Sequence, residues 1–188
     1  MRYLLDTNVL SELRKVASPK AHPRFVAWAK THPATEAISA VTLFELEIGV
    51  QRIERRDPTQ GVRLRRWLEG VQATFDGSVL PLDADVAVRA ARFHVPDPAS
   101  DRDAFIAATA QAHGLAVVTR NIADFETFGI PLVNPWGVAI PPMLEDAAGH
   151  PAADRRPARI RRSGDSPGVV IESCLLVPSG AWSSRLRG

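Results

Sequence analysis

Short apolar runs, each ending at a polar residue, constrain this chain more than anything else. Tyr3-Leu4-Leu5 has strand length and stops at Asp6, followed by Thr7 and Asn8. Glu36-Ala37-Ile38-Ser39 and Ala116-Val117-Val118-Thr119 are also of strand length and end on a hydroxyl residue. The last is continuously apolar, as a parallel strand covered by helices on both faces should be. Between these runs lie stretches of helical period. Strands alternating with helices give an α/β domain with a parallel sheet. In such a sheet ligands bind past the carboxyl ends of the strands. Asp6 is therefore either a helix cap or a site residue.

The helices follow from spacing and punctuation. Residues 8–15 form the first, ending in Arg14-Lys15, where positive charge suits a helix C-terminus. Pro23 starts a second that runs to residue 30, with Phe25, Trp28 and Ala29 on one face. Ser39 caps a helix over 41–50, which places Glu45 and Glu47 among core-forming residues. Residues 62–74 carry Leu64, Trp67, Leu68 and Val71 on one stripe. Arg52, Arg55, Arg56, Arg63, Arg65 and Arg66 read equally as a solvated surface or as phosphate contacts. Asp83 caps a helix over 84–94, and Asp101-Arg102-Asp103 opens another that ends at Gly114. Residues 131–135 supply a last edge strand. Trp28 and Trp67 read as core or dimer interface, and His94 and His113 as surface or helix-end groups.

No apolar run approaches the roughly 20 residues of a membrane span, and the N-terminus lacks the plan of a signal peptide. A single cysteine, Cys174, excludes an internal disulfide and a multi-cysteine zinc site. A cytoplasmic setting is the expectation. Residues 1–137 hold 16 Lys/Arg and 16 Asp/Glu, so they carry no net charge. Nucleic acid would then have to be held by local arginines and metal ions. Residues 138–188 change character, with six prolines and the run Arg155-Arg156-Pro157-Ala158-Arg159-Ile160-Arg161-Arg162. They are expected to be a largely disordered tail on a domain spanning 1–137.

Three acids stand out by position. Asp6 ends a strand, Asp103 opens an almost uncharged helix, and Asp124 lies just past a strand. A parallel sheet brings all three to one edge, and a glutamate one turn into the helix at 41–50 can reach it too. Spacing alone leaves Glu45 and Glu47 equivalent. Clustered carboxylates repel unless cations neutralise them. Hard oxygen donors suit Mg²⁺ or Mn²⁺, ions that support phosphodiester hydrolysis.

The chain resembles PIN-domain nucleases, in particular the VapC-type toxins of bacterial toxin–antitoxin pairs and their FitB-like branch. The resemblance rests on Leu4-Leu5-Asp6-Thr7-Asn8-Val9-Leu10-Ser11-Glu12, on residues 39–49 (SAVTLFELEIG), on Arg102-Asp103-Ala104-Phe105-Ile106-Ala107-Ala108-Thr109-Ala110, and on Val118-Thr119-Arg120-Asn121-Ile122-Ala123-Asp124-Phe125, closed by Pro131-Leu132-Val133-Asn134-Pro135-Trp136. It implies a PIN-like three-layer sandwich with a central, mostly parallel sheet. It selects Glu45 over Glu47. It makes Asp6, Glu45, Asp103 and Asp124 the catalytic and metal-binding set, with Thr7, Asn8, Thr119 and Asn121 in support. It further implies Mg²⁺- or Mn²⁺-dependent cleavage of RNA, a homodimer, and a DNA-binding antitoxin as partner. The segment 94–101 is shorter and richer in proline than the usual connection, so Asp103 is expected to be set slightly differently. Two other readings compete. An aspartyl phosphatase would use Asp6 as nucleophile, but Asn8 stands where its second acid belongs. A pure binding module would pair with a DNA-binding partner and regulate an operon.

Overall fold

A computed structural model describes residues 2–32 and 36–137. Five strands form one parallel sheet in the order β3-β2-β1-β4-β5. They are β1 (Tyr3–Leu5), β2 (Glu36–Ser39), β3 (Val79–Leu80), β4 (Ala116–Val118) and β5 (Leu132–Val133). Chain order reverses between β1 and β4, which makes their carboxyl ends the switch point where α/β sheets bind ligands. The proposed tail lies outside the described residues.

Strand alternation sorts the core into two layers. Leu5, Ile38 and Val118 face one side and join helices α1 (Thr7–Leu13), α2 (Pro23–Thr31), α3 (Ala40–Arg56) and α4 (Pro58–Thr74). Leu4, Ala37 and Val117 face the other, against α5 (Ala84–Arg92), α6 (Asp101–His113), α7 (Ile122–Phe125) and the 3₁₀ turn Glu126–Phe128. One strand residue in two feeds each core, giving the three-layer sandwich that was expected. Trp67 is buried in the first layer and Trp28 packs against it.

Several boundaries differ from the sequence reading for local reasons. Nothing breaks α3 before Asp57-Pro58, so it runs to Arg56 rather than residue 50. Asp57 then accepts from Gln60 N–H at 2.9 Å and Pro58 takes the first helical position, so α4 starts four residues early. The short helix α7 was not anticipated, because four residues are too few for a period to show. The caps expected at Ser39, Asp83 and Gly114 are all in place.

The α3–α4 hairpin is held by Arg65, which makes a two-pronged ion pair with Glu54 (2.9 Å each) and reaches Glu47 at 2.7 Å. Arg65 is thus neither free surface nor a phosphate contact. Beneath it, a Cβ on buried Gly61 would stand 2.7 Å from the Glu54 Cα, on backbone that cannot step aside. Gly61→Ala is therefore expected to lower stability by about 1–3 kcal/mol by prising α4 from α3, measurable as a lower urea midpoint at unchanged m-value.

Candidate functional site

The site begins with Asp6, which leaves β1 in extended conformation and caps α1. It is 6% exposed. One carboxylate oxygen accepts from Thr7 N–H at 2.6 Å. The other accepts from the Asn8 amide at 2.5 Å and from the Thr119 hydroxyl at 2.8 Å. Asp6 is therefore both a helix cap and a group at the switch point; the two readings are not exclusive.

Thr119 and Asn8 join the ends of the two central strands. Thr119 is fully buried. Its hydroxyl accepts from the Asn8 amide at 3.1 Å and from Asn121 N–H at 3.0 Å. The Asn8 carbonyl oxygen accepts from Arg120 N–H at 3.1 Å. A side chain from one turn thus ties down the backbone of the other. Asn121 contributes through its main chain, while its residue is exposed.

Thr7 connects Asp6 to α3. Its backbone N–H goes to Asp6 and its hydroxyl donates to Glu45 Oε2 at 2.5 Å. The other Glu45 oxygen faces the Arg102 guanidinium at 3.4 Å. Glu47 points elsewhere, to Arg65 and Gln51. The two acids that spacing left equivalent are separated by structure: one serves the hairpin clamp, the other faces the strand ends.

Asp103 sits in the first turn of α6, half-buried, with the Ser100 hydroxyl beside it. Residues 94–101 fold back on themselves, His94 Nδ1 accepting from Ala99 N–H at 3.3 Å while its other nitrogen lies 3.8 Å from Asp101. His94 is thus a bracket for the Pro-rich link. Asp124 lies on α7, exposed.

The carboxylates feel one another. Burial, reinforced by the charges of Glu45 and Asp103, pushes the Asp6 carboxyl up to about 6, against the pull of Thr119 and Thr7. Burial also raises Asp103, with Asp124 and Glu45 adding to the effect and Ser100 and Arg102 opposing it. Yet among the described residues no three Asp, Glu, His or Cys side chains stand close enough to share one ion. Asp6 is committed to Thr7, Asn8 and Thr119, and Glu45 to Thr7 and Arg102. The donor chemistry nonetheless fits a hard divalent cation. The set is all oxygen, it is crowded with like charge, and its most buried member holds its proton too tightly for a free carboxylate.

Beside Glu45 a groove of about 190 Å³ runs between α1, α3 and α4, lined by Thr7, Ser11, Arg14 and Trp67 among others. Sequence reasoning passed over Arg102 and treated Arg14 only as a helix-end charge. A basic residue next to an acid at a helix start was the available signal for the first. The groove itself is tertiary and leaves no local signal.

The sequence pattern of the PIN domain matches residues 3–129, a span that holds all eight polar residues described above. The chain belongs to the PIN-domain family. It is 36% identical over 143 residues to VapC ribonuclease Y4jK of Sinorhizobium fredii, covering 71% of this chain and 96% of that protein. It is 34% identical over 140 residues to toxin FitB of Neisseria gonorrhoeae, covering 71% and 97%. Among solved structures, FitAB bound to an IR36 DNA fragment superposes with a TM-score of 0.65 at 30% identity, over 73% of this chain and 98% of that one. The PIN domain's relatives thus account for nearly their own full length within about seven-tenths of this chain.

Proposed function

We propose that the chain is a metal-dependent endoribonuclease and the toxin of a type II toxin–antitoxin pair, acting on cytoplasmic RNA. Residues 1–137 form the PIN domain and 138–188 an appended tail. The observation that carries the reading is Asp6: a buried carboxylate at the switch point, held by residues of both central strand ends, with Glu45 and Asp103 near enough to raise it. The names of relatives, one a ribonuclease and one a toxin, support the same reading.

Asp6, Glu45, Asp103 and Asp124 would hold Mg²⁺ or Mn²⁺. When bound, the cation supplies an acidified water and neutralises charge at the scissile phosphate. The chain's own residues prepare that chemistry. Thr119 and Asn8 fix the Asp6 carboxylate, and Thr7 fixes Glu45 from the same turn. Arg102 lies against the second Glu45 oxygen and balances its charge. Asp103, in the first turn of α6, and Asp124, on the short α7, would supply the remaining oxygens. The partners in this reading are RNA, a second copy of the chain as a homodimer, and an antitoxin with a DNA-binding part.

The test is cleavage of RNA by the purified chain. Cutting is expected with Mg²⁺ or Mn²⁺ and none in EDTA, with recovery when the ion is restored. Cutting that persists in EDTA would reject the proposal. A pH profile follows from Asp6. Its raised carboxyl holds a proton below about pH 6, and proton and cation compete for it. The kcat/KM for cleavage is therefore expected to fall about tenfold per pH unit below that value and to level off above it. A profile flat from pH 5 to 8 would remove Asp6 from the ligand set.

The binding-module reading shares the antitoxin but not the chemistry. It would be favoured if the chain bound a DNA-binding partner yet took up no cation. The phosphatase reading has no support from Asn8, whose amide is spent on Asp6, Thr119 and the Arg120 backbone.

A further inference from the structure

Resting on that reading, we infer that Arg14, Arg102 and Arg120, each stacked on an aromatic ring, are the contacts that hold the RNA phosphates across the acidic edge. Asp6 feels the charges of Glu45 and Asp103, and Asp103 that of Asp124, so a polyanion brought to this edge is repelled. Residues 1–137 sum to zero charge, so no long-range field compensates. The attraction has to be local, from cations placed around the carboxylates.

Three guanidiniums meet that need. Arg102 precedes Asp103, lies 3.4 Å from Glu45 and stacks over Phe44 at 5.8 Å. Arg14 lines the same groove as Thr7 and Glu45 and stacks over Trp67 at 5.4 Å. Arg120 follows Thr119, donates its backbone N–H to Asn8, and stacks over Trp136 at 5.9 Å. These are the cation–π pairs among the described residues, and each arginine lies in or caps an element that also supplies a site residue. They come from three separate places, the C-terminal cap of α1, the first turn of α6 and the turn after β4.

The chemistry suits phosphate. A ring behind a guanidinium restricts its motion and leaves its edge of N–H donors for a second partner. That edge matches two phosphate oxygens. All three arginines are exposed, Arg102 with 51% of its side chain accessible. Phe44 is itself 54% exposed, unusual for a phenylalanine, and offers the remainder of its face to an unstacked base. Arg65, by contrast, has its donors consumed by Glu54 and Glu47.

The test uses the full-length chain carrying Asp6→Asn, so that RNA is not cut, and a fluorescein-labelled 20-nucleotide single-stranded RNA of mixed sequence. Affinity is read by anisotropy over a range of salt concentrations. Arg14→Gln, Arg102→Gln and Arg120→Gln are each expected to weaken binding about three- to tenfold. The triple variant should lower the slope of log affinity on log salt by about 2, near 0.7 for each lost contact to a single strand. The corresponding lysine variants keep the charge and lose the stacked fork, so they should keep the slope but recover only part of the affinity. A control triple at Arg52, Arg55 and Arg56, exposed on the far end of α3, should change affinity less than twofold. Equal losses in the two triples, or an unchanged slope in the first, would overturn the inference. So would loss of binding to a polyglutamate probe with RNA binding intact, which would assign these arginines to an acidic protein. If the unsubstituted chain neither binds nor cuts the RNA, the nuclease reading falls and this inference falls with it. If it binds and cuts while the triple variant binds unchanged, only this inference is lost.

Discussion

Asp6→Asn is expected to lower RNA cleavage by at least about a hundredfold and to leave the fold intact. The first effect follows from its position: Asp6 is the most buried of the four acids and the one held from both central strand ends. An amide keeps the shape and removes the charge that a cation needs. The second effect follows from its hydrogen bonds. The new carbonyl oxygen still accepts from Thr7 N–H. The new NH₂ meets the Asn8 amide donor to donor, and the Thr119 hydroxyl, whose two lone pairs already take the Asn8 amide and Asn121 N–H, cannot accept from it, so both hydrogen bonds on that side are lost. Against that loss, a carboxyl that burial pushes up to about 6 is charged at a cost at neutral pH, and the substitution removes the cost. The two effects are of similar size, about 1–3 kcal/mol. The melting temperature should therefore stay within about 5 °C. Growth arrest on expression should disappear together with cleavage. A variant that unfolds would place Asp6 in the architecture alone, and a fully active one would remove it from the chemistry.

Glu36→Gln is expected to stabilise the protein at pH 8 and to do almost nothing at pH 4. Glu36 opens β2 opposite Tyr3, is 7% exposed, and neither of its oxygens has a hydrogen-bond partner among the described residues. Burial alone pushes its carboxyl up to about 7. The folded state then binds a proton that the unfolded state has released, over the window from about 4.5 to 7. Stability falls as pH rises through that window and is fully reduced above it. A shift of that size corresponds to a penalty on the order of 3 kcal/mol at pH 8. The neutral amide escapes most of it, so a gain of about 1–3 kcal/mol is expected, or about 3–10 °C in melting temperature. At pH 4, below both values, the side chains are largely uncharged in the folded and unfolded states alike and the melting curves should nearly coincide. A gain of the same size at pH 4, or none at pH 8, would mean that Glu36 has a partner or reaches water.

Much of this was legible because the relevant signals are local. Leu4-Leu5-Asp6 and Val117-Val118-Thr119 announce strand ends by a change from apolar to polar. Ser39, Asp83 and Gly114 announce helix boundaries by capping chemistry that needs no tertiary context. A parallel sheet then brings Asp6, Asp103 and Asp124 to one edge as a matter of topology. What was not legible depends on which way a side chain turns. Glu45 and Glu47 lie two residues apart, and only the packing of α4 shows that Glu47 belongs to Arg65. Arg65 itself is indistinguishable in sequence from Arg63 and Arg66. Glu36 reads as an ordinary strand-end acid until burial is known. The dual role of Asp6, cap and site group together, was posed as a choice because sequence offers positions rather than hydrogen bonds.

The central claim is that these carboxylates form one cation site. Calorimetric titration of Mn²⁺ into the full-length chain at pH 7.5 tests it without reference to any substrate. The account predicts saturable binding at the acidic edge, weakened at least about tenfold by Asp6→Asn and likewise by Asp103→Asn, and unaffected by Glu47→Gln. Binding that survives both aspartate substitutions unchanged, or no binding at all, would contradict it.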